Sequence, residues 1–121
     1  MPVDRRMQNA LLTKSVIRAA SRLGIGPGKL ARALGLPDSA IPNLRRQSLV
    51  FEPATQPFDR AVLLIRIFQS LDLIAGGDNT IARAWIANPN AHLGCRPIDR
   101  IASRPGLIEV LAYLDARQAR V

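Results

Sequence analysis

Around Gly35 the chain keeps a spacing that few folds can use. A small residue, Ala31, stands four positions before the glycine. Leu30 and Leu34 stand five and one before it, and Leu36, Ile41 and Leu44 one, six and nine after it. Two short helices that cross tightly need a small side chain at the crossing, a glycine in the turn and apolar side chains that lock one helix on the other. The spacing therefore predicts a helix-turn-helix unit. Its first helix covers 29–34, and its second runs from a cap at Asp38 or Ser39 to about Gln47. Pro42 falls in or just after the first turn of that second helix, where a missing N–H costs little.

The rest of the chain keeps the helical period. Residues 11–23 carry an apolar stripe at Leu11, Leu12, Val16, Ala19, Ala20 and Leu23, with Lys14, Arg18 and Arg22 opposite, before Gly24, Gly26 and Gly28 break it. Residues 49–57, with Pro53 and Pro57, read as an extended linker with room for one irregular strand. Residues 60–74 are apolar nearly all round, the pattern of a central buried helix or of one in a subunit interface. Residues 79–87 form a further helix with Ile81, Ala82, Trp85 and Ile86 on one side. A loop over 88–96, a short helix over 97–102 and a last helix over 105–118 complete the chain. Pro97 and Pro105 suit first-turn positions. No stretch alternates with period two for long enough to make a sheet. The expected fold is all-α: a helix-turn-helix lobe with its linker over 1–57, then a small helical lobe over 58–121.

Charge narrows the function. Seventeen basic residues against nine acidic give +8, and residues 1–48 hold nine of the basic side chains against only Asp4 and Asp38. A polyanion-binding module joined to a nearly neutral one explains that asymmetry, although an arginine-rich composition would also raise the charge. On the second helix the exposed positions would be Ser39, Ala40, Asn43, Arg46 and Gln47, with Arg45 towards the DNA backbone. Asn, Arg and Gln each make paired hydrogen bonds to purine edges in the major groove. Lys29, Arg32 and the first-helix arginines would hold phosphates. The bland reading of Arg45, Arg46 and Gln47 is a solvated helix end favoured by the dipole. A single copy covers only a half-site, so operator binding calls for a homodimer.

Other chemistries find little support. The longest uniformly apolar run, 61–65, is far short of the roughly 20 residues that a bilayer span needs, so no membrane partner is expected. The lone Cys95 excludes an internal disulfide and a cysteine-based zinc cage, and a reduced cytoplasmic protein is expected. His92 and Cys95 are two candidate ligands without a third. The glycines of 24–28 follow no strand and precede no Gly-Lys-Ser/Thr. No catalytic residue, metal or cofactor is expected.

The second half carries an ordered set of residues: Trp85-Ile86, Pro89-Asn90, Leu93-Gly94, Pro97 followed by Asp99, then Gly106, Val110 and Leu114. Each has a physical reading of its own. Trp85 packs a core, Pro89-Asn90 makes a turn, Gly94 takes a backbone angle that other residues resist, and Pro97 starts a helix. Together they resemble the toxin-binding domain of the Xre/MbcA/ParS-like antitoxins, whose usual partner domain is an Xre-like helix-turn-helix. The resemblance implies a type II antitoxin that inhibits a RES-domain toxin, an enzyme that consumes NAD or transfers its ADP-ribose. It implies toxin contacts from Trp85, Asn88, Pro89, Asn90, Leu93 and Arg96. In this family the C-terminal part commonly covers the toxin's active-site entrance, a role that would fall here to Arg117, Gln118, Arg120 and Val121. Arginines facing a pyrophosphate site are electrostatically sensible. Two departures stand out: Cys95 replaces a glycine that often follows Leu-Gly, and the tail is shorter than is common in the family. The implied assembly is a homodimer within a larger toxin–antitoxin hetero-oligomer that also binds operator DNA. The rival reading is a stand-alone helix-turn-helix repressor whose second half only dimerises.

Overall fold

The computed structural model describes residues 5–119, and among them all regular structure is helical. The elements are α1 (Arg5–Leu23), α2 (Pro27–Leu34), α3 (Ala40–Arg45), α4 (Gln56–Ile74), α5 (Asn79–Ala87), α6 (Pro97–Arg100) and α7 (Arg104–Gln118). Strand-like pairing is limited to an isolated bridge between Asn90 and Cys95.

Helix α4 is the centre. It packs against α1 and α2 from the first half and against α5 and α7 from the second. Its Ala61, Leu64, Ile67 and Leu71 are buried in one continuous core with Val16, Leu23, Leu30, Leu34, Ile41 and Leu44 from the first half. Ile86, Ile101, Leu107 and Leu114 extend that core through the second. Each fully buried leucine or isoleucine contributes roughly 2 kcal/mol of apolar transfer. Helix α7 runs parallel to α4. Arg104 Nε pairs with Asp59 Oδ2 at 2.6 Å near their starts. Near their ends, Ser70 Oγ lies 3.1 Å from Asp115 Oδ1 and 2.9 Å from Gln118 Oε1.

The caps follow side-chain chemistry. Thr55 accepts from the Phe58 N–H, Asp78 from Thr80 and Ile81, and Ser103 from Gly106. Gly35 ends α2 in the left-handed region (φ 70°), and the Leu36 N–H closes back on the Ala31 carbonyl at 2.9 Å. Gly106 answers a different need. It is buried where α7 crosses the end of α6, and a Cβ there would overlap the Arg100 carbonyl.

Several sequence expectations shift. Helix α1 begins at Arg5, and its buried positions are Asn9, Thr13, Val16, Ala19, Ala20 and Leu23, while Leu11 is exposed. The first two of those six are polar, which hid the start of the stripe. Thr13 is satisfied by donating to the Asn9 carbonyl at 2.9 Å. Helix α3 stops at Arg45, not near Gln47. Gln47 turns left-handed (φ 59°), and Ser48 donates back to the Asn43 carbonyl at 3.0 Å. Neither Asp38 nor Ser39 caps α3 with its side chain, because Ser39 is itself helical. Ala40 is buried rather than on the outer face, Ile81 is exposed, and Trp85 is half-buried. Pro57 lies in the first turn of α4 rather than in the linker, and Phe51 buries to anchor the segment before it.

Candidate functional site

Helix α3 and the residues that flank it present Ser39, Asn43, Arg45, Arg46 and Gln47 to solvent. Arg46 Nη2 donates to Asn43 Oδ1 at 2.9 Å, so two of the proposed base-reading side chains hold each other in place. The end of α3 and the polar side of α1 form an open groove of about 570 Å³, lined by Lys14, Arg18, Arg22, Arg45 and Gln47 over Ile17 and Leu44. Arg22 is steadied there by the Phe68 ring, 5.8 Å from its guanidinium carbon. A chain of cations over an apolar floor suits a phosphate backbone.

Lys29 and Arg32 lie elsewhere. With Ile98, Asp99 and Ala102 they line a small notch between α2 and α6. Lys29 Nζ stands 2.9 Å from Asp99 Oδ1. Arg96 forks onto the same carboxylate, with Nε 2.8 Å from Oδ2 and Nη2 3.2 Å from Oδ1. These bonds, from Arg96 first and then Lys29, hold the Asp99 carboxyl below its ordinary range. A lysine assigned to nucleic acid and an arginine assigned to a protein partner thus share one carboxylate.

Other arginines serve the fold. Arg60 Nη1 donates to the Arg32 carbonyl at 3.3 Å and lies over Gly35. Arg83 reaches two carbonyls at the end of α1, and Arg100 Nη2 holds the Leu93 carbonyl at 2.6 Å. A cation at a helix C-terminus meets both an orphan carbonyl and the negative end of the dipole. The Arg60 and Arg83 partners are 28 to 62 positions away in sequence, so no local pattern announces them.

The loop after α5 is built around Asn90. Its Oδ1 accepts from the N–H groups of His92 (2.9 Å) and Leu93 (3.1 Å), and its own backbone bonds Cys95 and Gly94. Gly94 supplies the left-handed residue (φ 75°) that this closure needs, and Leu93 buries as the anchor. Asn88 and Pro89 are exposed at the loop's start. Trp85 stacks on Tyr113 (centroids 6.1 Å, 20°), and Tyr113 meets His92 (4.9 Å, 31°), giving one aromatic layer across α5, α7 and the loop. Beside it runs a groove of about 520 Å³ lined by His92, Leu93, Glu109, Ala112, Tyr113, Ala116 and Arg117.

The structure therefore brings Trp85 and Arg117 to one surface, while Leu93, expected to touch a partner, is buried at the wall of the groove. Arg96 turns to Asp99, Gln118 turns to Ser70, and Arg120 and Val121 lie outside the described residues. Sequence reasoning missed Tyr113 altogether and weighed His92 only as an incomplete metal ligand. The signal was an aromatic on the outer side of α7, three residues past Val110. Among the described residues no three His, Cys, Asp or Glu side chains gather as a metal site, and no helix is long and apolar enough to cross a membrane.

Comparison with known families gives two adjoining matches. The antitoxin Xre-like helix-turn-helix domain matches residues 3–66, and the antitoxin Xre/MbcA/ParS C-terminal toxin-binding domain matches residues 70–120. No curated protein matches the chain.

Proposed function

This chain belongs to the Xre/MbcA/ParS-like antitoxins, and we propose that it holds a RES-domain toxin inactive with its second half and binds its own operator as a homodimer with its first. The observation that carries the toxin half is the aromatic layer and groove of His92, Tyr113 and Arg117 within the matched toxin-binding domain. Aromatic faces beside an arginine suit a tight protein anchor. Arg117 also suits a toxin whose site receives a pyrophosphate. The proposed toxin surface comprises Trp85, Asn88, Pro89, Asn90, Leu93, Arg96, Arg117 and Gln118, joined by His92 and Tyr113 and continued by Arg120 and Val121. The operator surface comprises Ser39, Asn43, Arg45, Arg46 and Gln47, with Lys29, Arg32 and the α1 cations on phosphates.

In this reading residues 1–57 serve DNA and residues 58–121 serve the toxin. The protein acts in the cytoplasm by binding, with no reaction of its own, as a homodimer inside a larger hetero-oligomer. The test is co-expression with the product of the adjacent gene, followed by NAD loss measured with and without this protein. A stable complex in which NAD loss stops is the expected result. No complex, with salt-sensitive binding to the chain's own promoter, would replace this reading with that of a repressor alone.

A further inference from the structure

We propose that Lys29 and Arg96 form a phosphate site that the molecule keeps closed with its own Asp99, and that the ligand it excludes is a DNA backbone phosphodiester. The inference rests on the DNA-binding reading above. Asp99 is held as a bound anion would be: a planar arginine fork on both oxygens and a lysine point charge on one of them, all between 2.8 and 3.2 Å. That pairing of fork and point charge is how proteins present themselves to phosphate. Arg32 lines the same notch, adding a third cation to its surroundings.

The position fits the ligand. Lys29 is in the first turn of α2, the first helix of the helix-turn-helix, and that helix crosses the DNA backbone when its partner lies in the major groove. Beside Lys29, a Cβ added at Gly26 or Gly28 would meet no atom within 4 Å. The three paired side chains are 37%, 42% and 46% exposed, open enough to exchange partners. A phosphate arriving at Lys29 must displace a carboxylate that belongs to the toxin-binding half. Occupancy of the toxin surface that draws Arg96 or Asp99 aside would then change how firmly the first half grips DNA.

The experiment uses the full chain, wild type and Asp99→Asn, titrated into two labelled duplexes of equal length. One comes from directly upstream of the coding sequence and the other is a scrambled version, each measured between 50 and 300 mM KCl. Each phosphate neutralised adds about 0.9 to the slope of log affinity against log salt, so Asp99→Asn is expected to steepen that slope by about one to two. It should tighten binding to both duplexes several-fold. Adding Lys29→Gln to Asp99→Asn should return most of the gain, and Asp99→Ser should repeat the effect of Asp99→Asn. DNA binding that appears only in the Asp99 variants would also support the site. Wild type and variants binding alike, or variants binding more weakly, overturns the inference while leaving the DNA reading intact. No binding by any form overturns both.

Discussion

The Arg83 guanidinium donates to the Arg22 carbonyl from Nε at 2.8 Å and to the Ser21 carbonyl from Nη2 at 2.9 Å. A side chain of the toxin-binding half therefore finishes the first helix of the other half. Arg83→Ala removes two charge-assisted bonds at an exposed site, and is expected to lower unfolding free energy by about 1–2 kcal/mol. Arg83→Lys, which lacks the fork, should recover only part of it. Urea unfolding followed by circular dichroism measures both.

Gly106 and Gly28 make a contrasting pair. A methyl at Gly106 meets the Arg100 carbonyl, so α6 and α7 must separate, and Gly106→Ala should cost roughly 2 kcal/mol or more. A methyl at Gly28 meets open space at ordinary backbone angles, and Gly28→Ala should be neutral or stabilising by up to about 1 kcal/mol. Melting temperatures moving the same way for both would contradict the packing described here.

Tyr113 is the middle ring of the aromatic layer, and Arg117 charges one wall of the groove. Tyr113→Ala and Arg117→Glu are each expected to weaken toxin binding at least tenfold, in line with truncation of a buried anchor. Neither should alter the helical spectrum or DNA affinity. Calorimetric titration against the toxin, beside a promoter-binding assay, separates these readouts.

On α3, Arg45→Glu should weaken binding to any duplex and flatten the salt slope by at least about one, the mark of a lost phosphate contact. Asn43→Ala should instead narrow the gap between operator and scrambled DNA, by about 1–3 kcal/mol if Asn43 reads a base. It also frees Arg46, which Asn43 now holds. Equal losses on both duplexes would move Asn43 from base reading to mere support.

Asp99 also sets a pH dependence. Its carboxyl is held below the ordinary 3.8, chiefly by Arg96 and then by Lys29, so the native state binds its proton less readily than the unfolded chain. The stabilisation is complete above the ordinary value and is lost as pH falls through the lowered one. Wild type and Asp99→Asn should therefore differ in stability at pH 7 and converge in strong acid. A gap that widens on acidification would mean that the pair does not stabilise the fold.

How much of this could be read in the chain depended on distance along it. The helix over 79–87 was legible to the residue, because Ile81, Ala82, Trp85 and Ile86 keep the helical period and Pro89-Asn90 marks a turn after it. The turn at Gly35 was equally plain, since its glycine and locks are local. The start of α1 was not, because its inward face spends Asn9 and Thr13 where apolar residues are expected. The end of α3 was hidden because Gln47, not glycine, takes the left-handed angle. At the sites, the Asn90 loop followed from its Pro-Asn and Leu-Gly pairs. The Lys29–Asp99 contact spans 70 positions, and periodicity holds no information at that range. The His92–Tyr113 contact likewise arises from packing of the loop on α7 rather than from any repeat.

Helix α4 has one more consequence. The two family matches meet inside it, at residues 66 and 70, while its nineteen residues run unbroken from Gln56 to Ile74. The halves are then less like beads on a string than like two wheels fixed to one axle. Neither can be lifted out by cutting at the family boundary without splitting a helical turn and exposing Ile67 and Leu71. On the proposed reading, a change at the toxin-binding end has one continuous helix along which to reach the helix-turn-helix end.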